Sequence, residues 1–245
     1  MILITAFEPF GGSQTNTSAE VLKRLPDSIS GHPVEKALLP VVFGKAASRV
    51  LQYQADALFL LGEAGQRDKV TPERKARNLR DARIPDNEGN QPKREAIFPC
   101  PASSIGLWKD IDCIKQRDWE GRPQEFDEYC TSLPLDRIVA QMQDYPIDVS
   151  EDAGTFVCND TFYLVGMQSK VPVEFIHVPA VPDQAHVYAE TVKRFIEIAL
   201  DWSVGPHAAL YGDFNPSGEG SSQPKPGNPA TAEGTALWGA VVGGG

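Results

Sequence analysis

Short apolar runs that end at a glycine or a proline limit most strongly how this chain can fold. The clearest run covers residues 57–61, five apolar side chains in succession followed by Gly62. An apolar run without polar alternation is typical of a strand that is buried on both faces, as in a parallel sheet covered by helices. Similar runs predict further strands at 2–5, 38–42, 147–149 and 173–178, the last of them ended by Pro179.

Segments with helical spacing of their apolar residues separate these runs. Thr17-Ser-Ala-Glu20 has the form of a capping box, so we expect a helix to begin there. The spacing of apolar residues predicts further helices near 43–51, 138–142, 156–167 and 183–202. Strands that alternate with helices indicate an α/β protein, a three-layer αβα sandwich with a mostly parallel mixed sheet.

The glycines and prolines are unevenly distributed along the chain. Residues 205–245 contain 10 of the 21 Gly and 5 of the 20 Pro, with few large apolar side chains. Such a segment buries too little apolar surface to offset the entropy lost on ordering. We therefore expect a folded domain over 1–202 and a low-complexity, disordered tail over 203–245, with a docking motif at 237–242 as the alternative.

Charge and composition exclude several classes of protein. The net charge of −10 comes without a basic cluster, which argues against binding nucleic acid. No apolar run reaches the roughly 18–20 residues of a membrane helix, and the first residues lack the basic flank of a signal peptide. The four cysteines form no CxxC pair, so neither a zinc site nor a disulfide framework is indicated. We expect a reduced, cytoplasmic protein without a bound metal.

Cys158 has the most favourable context for chemistry among the cysteines. It follows a predicted strand and turn and lies near the beginning of a predicted helix. The N-terminus of a helix stabilises a thiolate, the nucleophilic form of cysteine. A small buried hydrophobic side chain is the alternative interpretation.

His177 is the best available partner for that thiol. It lies at the end of an apolar strand, and catalytic groups of open α/β sheets gather at the carboxyl ends of the strands. A Cys–His pair also needs a third group to orient the imidazole, and the chain offers many acids. Glu73, in the polar stretch after the strand at 57–61, is an attractive choice, although a solvated loop acid is the alternative.

Five ordered sequence blocks resemble the pyroglutamyl peptidase I family. They span residues 2–200 and occur in the family's order. The blocks are Phe7-Glu-Pro-Phe-Gly-Gly12 with Asn16; Gly62-Glu-Ala-Gly65 with Thr71-Pro-Glu-Arg74 and Asn78; Asp81-Ala-Arg-Ile-Pro-Asp-Asn87 with Gly89; Ala153-Gly-Thr-Phe-Val-Cys-Asn159; and Phe175-Ile-His-Val-Pro179.

The resemblance implies a cysteine exopeptidase that removes N-terminal pyroglutamate from small peptides, on a phosphorylase/hydrolase-like fold and without a cofactor. The family's catalytic triad falls on Glu73, Cys158 and His177. The resemblance also implies a pocket for the pyroglutamyl lactam. Two rings would sandwich the lactam, two main-chain segments would bond its amide, and an arginine would lie beside the oxyanion site; these positions are Phe7 and Phe10, Glu63 and Val157, and Arg83. The family's habit of forming homo-oligomers is a further expectation.

Several positions depart from the family pattern. Gln66 replaces a glycine, and Lys75, Arg77 and Arg80 introduce positive charge where we expect a solvated basic face. We expect the segment 93–132, which contains Trp108 and Trp119, to form an enlarged irregular loop. These departures leave an alternative open: a catalytically altered member that binds lactam or peptide ligands, or that acts as an interaction module through this loop. Phosphate binding at Gly11–Gly12 has less support, because the GxGxxG pattern is missing.

Overall fold

One mixed sheet forms the centre of the protein, which we describe over residues 1–98 and 128–203 of a computed structural model. Its strand order is β2-β3-β1-β4-β8-β5. The four central strands, β3, β1, β4 and β8, run parallel to one another. The short outer strands β2 and β5 pair antiparallel. A separate two-stranded sheet joins β6 to β7. The strands are β1 (Ile2–Phe7), β2 (Ser28–Ile29), β3 (His32–Leu39), β4 (Ala57–Ala64), β5 (Thr71–Pro72), β6 (Lys75–Arg77), β7 (Glu128–Cys130) and β8 (Val173–Pro179).

Helices cover both faces of the main sheet. One apolar cluster joins it to α1, α3 and α5, and a second cluster on the other face joins it to α2 and α4. The helices are α1 (Thr17–Arg24), α2 (Lys45–Val50), α3 (Leu135–Val139), α4 (Val157–Gln168) and α5 (Ala185–Ser203), the last preceded by a 3-10 turn at Pro182–Gln184. The predicted three-layer α/β sandwich with a mostly parallel sheet is confirmed.

The continuous apolar run of β4 is explained by these two layers. Phe59 and Leu61 point into the cluster with α1 and α5, whereas Leu58 and Leu60 point into the cluster with α2 and α4. All four side chains are buried. A strand at the middle of a sheet covered on both faces has no solvent side, so alternation is absent from its sequence.

Three local predictions were wrong in detail. The cap of α1 is Asn16, whose side chain accepts a hydrogen bond from the Ser18 N–H, and not Thr17. The strand expected at 38–42 is β3, which begins at His32 and ends at Leu39. The strand expected at 147–149 is absent from the described residues, where Ile147 forms only an isolated bridge with Val70.

The basic residues after Glu73 do not form a solvated face. Lys75 pairs with Glu128 of β7 at 2.7 Å, and Arg77 pairs with Asp152. Arg80 donates from Nε to the fully buried Asp160 at 2.6 Å. The added positive charges are therefore matched by acids that lie far away in the sequence.

Parts of the sequence analysis concern residues outside the described ranges. These include Cys100, Cys113, Trp108 and Trp119 in the long loop, and the Gly/Pro-rich tail beyond residue 203. Within the described ranges, none of the helices has the length and apolar character needed to span a bilayer.

Candidate active site

Cys158 is the second residue of α4, at the edge of the sheet where the parallel strands end. The turn before this helix uses Gly154 at a φ of +87°, a conformation that favours glycine. Phe156 is the N-cap in an extended conformation, and its side chain makes no capping hydrogen bond. The first N–H groups of α4 therefore remain available to an anion, such as a thiolate or an oxyanion.

Gly62 gives the Cys158 thiol room against β4. A Cβ atom built at Gly62 would lie 2.9 Å from the Cys158 Sγ and 2.8 Å from two ring carbons of Phe175. Real Cβ atoms essentially never approach other atoms below 3.0 Å. Only glycine therefore lets the thiol and the Phe175 ring occupy their positions beside this strand.

His177 and Glu73 form a buried hydrogen bond next to the thiol. Pairing of β4 with β8 places His177 beside Gly62, and pairing of β5 with β8 places it beside Thr71. The His177 Nδ1 lies 2.7 Å from the Glu73 Oε1, with both side chains buried. Because Nδ1 donates to Glu73, Nε2 is the ring nitrogen left to face the thiol.

The electrostatics of His177 favour an imidazolium. Burial alone would lower the pKa of His177, but the charge of the Cys158 thiolate and the hydrogen bonds to Cys158 and Glu73 raise it to about 10. An imidazolium held between a thiolate and a carboxylate is the charge distribution of an activated cysteine. We refer to Cys158, His177 and Glu73 as the thiol–imidazole–carboxylate cluster.

Glu73 is itself held in place from several sides. The Arg67 Nη2 lies 3.3 Å from the Glu73 Oε1 and also donates to the Ser150 Oγ at 2.7 Å. The Thr71 hydroxyl lies 3.5 Å from the same carboxylate oxygen. Within the described residues, the other oxygen, Oε2, is buried without a hydrogen-bond partner. One oxygen thus carries the contacts that orient the imidazole.

The two phenylalanines of the expected lactam pocket lie in different surroundings. The Phe7 ring is buried, with its centroid 6.3 Å from that of Phe175. The Phe10 ring is partly exposed, with its centroid 5.9 Å from that of Phe156. Phe156 also meets Phe43 edge-on at 5.4 Å. Phe10, Phe43 and Phe156 therefore form an aromatic cluster, and Phe156 lies two residues before Cys158 in the chain.

Two of the remaining expected pocket residues, Val157 and Glu63, lie at the start of α4 and near the end of β4. Val157 is buried as the first residue of α4. Glu63 belongs to β4, and its Oε2 accepts a hydrogen bond from the Thr17 N–H at 2.5 Å. Arg83 is exposed, and neighbouring Asp81 is bonded to Thr155 through both its N–H and its carbonyl oxygen.

Sequence reasoning missed several residues that support the cluster. Asn159 binds the main chain at Arg77 and Leu79 through three hydrogen bonds and so attaches α4 to the segment after β6. Arg67 was missed as well, although it lies in the polar stretch that contains Glu73. The adjacency of Asn159 to Cys158 was the available signal. Among the described residues, no three His, Cys, Asp or Glu side chains come together as a metal site.

A thiol, an imidazole and a carboxylate lie one beside the next at the edge where the parallel strands end. This arrangement defines a cysteine hydrolase. The comparisons agree with this class. A family model described as pyroglutamyl peptidase matches residues 1–111 and 107–196. The chain therefore belongs to the pyroglutamyl peptidase family, as its sequence blocks predict.

Relatives and solved structures support this membership over most of the chain. A pyrrolidone-carboxylate peptidase of Staphylococcus saprophyticus is 37% identical over 220 residues, covering 85% of this chain and 91% of the relative. One of Thermococcus onnurineus is 36% identical, covering 83% and 98%. The crystal structure of pyroglutamyl peptidase I from Bacillus amyloliquefaciens matches with a TM-score of 0.65 at 32% identity, covering 81% of this chain and 95% of that one.

Proposed function

We propose that this protein is a cysteine peptidase that removes N-terminal pyroglutamate from small peptides, with Cys158 as nucleophile. The observation that carries the proposal is the thiol–imidazole–carboxylate cluster, in which the His177 Nδ1 lies 2.7 Å from Glu73 and its pKa is raised by the Cys158 thiolate. Family membership supplies the substrate class, since relatives over most of this chain are named pyrrolidone-carboxylate peptidases.

The first half of the reaction forms an acyl-enzyme. The Cys158 thiolate attacks the carbonyl carbon that joins pyroglutamate to the next residue, and the carbonyl oxygen becomes an oxyanion. N–H groups in the first turn of α4, with Arg83 nearby, stabilise that charge. The His177 imidazolium then gives its proton to the leaving nitrogen as the C–N bond breaks. The products are a thioester on Cys158 and a peptide with a free amino terminus.

The second half of the reaction releases pyroglutamate. Neutral His177 takes a proton from a water molecule, whose oxygen attacks the thioester carbon. The C–S bond breaks, pyroglutamate leaves, and the thiolate–imidazolium pair is restored. Glu73 keeps the imidazole in one orientation through both halves and does not exchange a proton.

Recognition of the lactam relies on shape, because the ring of pyroglutamate carries no charge. Phe7 and Phe10 provide the ring contacts in our proposal, and main-chain groups at Glu63 and Val157 bond the lactam amide. No step needs a cofactor. A thiolate nucleophile must stay reduced, so we place the enzyme in the cytoplasm. Assembly into a homo-oligomer stays a prediction.

Release of a fluorogenic amine from a pyroglutamyl amide tests the proposal. We expect Cys158→Ala to abolish turnover, and Cys130→Ala, which removes another thiol, to retain it. Free pyroglutamate should protect Cys158 from iodoacetamide. A folded, reduced wild-type protein that binds pyroglutamate without turnover would support the non-hydrolytic alternative, and turnover by Cys158→Ala would overturn the mechanism.

A further inference from the structure

Glu174 is a fully buried carboxyl group that the proposed reaction does not use. It lies on β8, three residues before His177, and its side chain has no exposed surface. Its Oε1 accepts a hydrogen bond from the Glu73 N–H at 3.1 Å. The same N–H also donates to the Phe175 carbonyl at 2.8 Å. Glu174 therefore binds the main chain of Glu73, one of the three residues of the thiol–imidazole–carboxylate cluster.

The other oxygen of Glu174 meets Thr131, the residue that follows β7. The Glu174 Oε2 and the Thr131 Oγ1 are 2.6 Å apart, and the same hydroxyl lies 3.2 Å from the Val173 carbonyl oxygen. The Val173 carbonyl also accepts from the Tyr129 hydroxyl at 3.4 Å, so the single hydroxyl proton of Thr131 goes to the nearer Glu174 Oε2. Thr131 therefore donates to Glu174 and holds this carboxyl group against the end of β7.

The surroundings of Glu174 favour the protonated acid. Burial raises its pKa well above the ordinary value; the hydrogen bond from Thr131 opposes this rise, and the nearby Glu73 charge adds to it. The titratable groups that face Glu174 are Glu73, which precedes β6, and Tyr129 of β7. Neither carries a positive charge, so an ionised Glu174 would be a second buried anion beside Glu73.

We propose that Glu174, as a neutral carboxylic acid, is a positioning residue that fixes the main chain of Glu73 and connects it to Thr131. The proposal rests on the role of Glu73 in the proposed function. A continuous set of hydrogen bonds then runs from Thr131 through Glu174 and Glu73 to His177. Glu174 touches no reacting atom, so it acts on the orientation of the imidazole alone.

Two substitutions separate this role from simple packing. Glu174→Gln keeps the shape, the absence of charge and the acceptor for the Glu73 N–H, and its amide still bonds the Thr131 hydroxyl. Glu174→Leu introduces an apolar side chain of similar size and removes both hydrogen bonds. We expect Glu174→Gln to keep kcat/KM within about threefold, and Glu174→Leu to lower kcat about tenfold or more with KM within about threefold.

A second readout does not depend on peptide hydrolysis. The rate at which iodoacetamide alkylates Cys158, followed by mass spectrometry from pH 5 to 9, reports the thiolate–imidazolium pair. The profile of Glu174→Gln should coincide with that of the wild type. A shift of more than about half a pH unit, the sign of a lost buried charge, would overturn the neutral assignment. A folded Glu174→Leu with unchanged kcat and unchanged alkylation would overturn the positioning role.

Thr131 provides a second route if Glu174→Leu does not fold. Thr131→Val removes the hydroxyl that donates to Glu174, whereas Thr131→Ser keeps it. We expect a lower kcat in the first and recovery in the second, and equal values in both would overturn the proposal. If the wild type alkylates normally and hydrolyses no pyroglutamyl amide, the proposed function fails while the alkylation profiles still decide the role of Glu174.

Discussion

Substitution of Gly62 by alanine tests whether the space beside β4 sets the position of the nucleophile. The new Cβ would lie 2.9 Å from the Cys158 Sγ and 2.8 Å from the Phe175 ring, against 3.4–4 Å for ordinary contacts. To restore 3.4 Å, the sulfur must move by about 0.5 Å and the ring by about 0.6 Å. The backbone of Gly62 is held by its pairing with His177 of β8, so the side chains must give way.

The expected effect follows from that displacement. A shift of about 1 Å at a reacting group can cost about 100-fold in rate, so half of that should lower kcat about tenfold. Overpacking of this kind costs about 1–3 kcal/mol of stability, or roughly 2–12 °C in Tm for a chain of this size. KM should change less than kcat, because the proposed lactam pocket lies on Phe7 and Phe10.

Steady-state kinetics on a pyroglutamyl amide, with thermal unfolding measured in parallel, check this expectation. Gly65→Ala is the matched control, because the nearest atom to its Cβ, that of Ala180, is 4.0 Å away. It should keep kcat and Tm near the wild-type values. If folded Gly62→Ala keeps kcat and the Cys158 alkylation rate within twofold of the wild type, the space beside β4 does not position the thiol.

Three further perturbations follow from the structure. Because the pKa of His177 is raised to about 10, the imidazolium persists below that pH and is lost above it; kcat/KM should therefore fall on the basic side near pH 10, and a fall near pH 7 would contradict the ion pair. Arg80→Met should lower stability by about 3–5 kcal/mol in thermal or denaturant unfolding, because it removes the cation that pairs with the buried Asp160. Lys23→Ala, at an exposed pair with Glu20, is its control and should cost less than about 1 kcal/mol. Asn16→Ala should cost roughly 0.5–2 kcal/mol through loss of the α1 cap, whereas Thr17→Val should cost little because the Thr17 hydroxyl has no partner within the described residues; the reverse order would restore Thr17 as the cap.

Local patterns predicted the elements that carry the nucleophile. The apolar run of β4 and the helical spacing after Cys158 are properties of neighbouring residues, and both elements formed where expected. The cap of α1 was misplaced because both Asn16 and Thr17 are good capping residues. The Thr17 N–H is taken by Glu63 from β4, a contact 46 residues away that no local pattern contains.

The choice of acid beside His177 could not be made from composition or spacing. Antiparallel pairing of β5 with β8 brings Thr71 beside His177 and Glu73 within hydrogen-bond distance of its ring. The same holds for the ion pairs after Glu73. Arg80 and Asp160 are 80 residues apart, so an unpaired basic segment and a matched one look the same in the sequence.

The position of β8 between β4 and β5 has a consequence for protein synthesis. A growing chain that has reached residue 170 already contains Gly62, Glu73 and Cys158, but neither β8 nor His177. Glu73 and His177 are separated by 104 positions, and their contact forms only when this late strand enters the sheet. In the proposed mechanism, a ribosome-bound chain is therefore inactive until β8 has joined the sheet, and truncation before β8 leaves the thiol without its base.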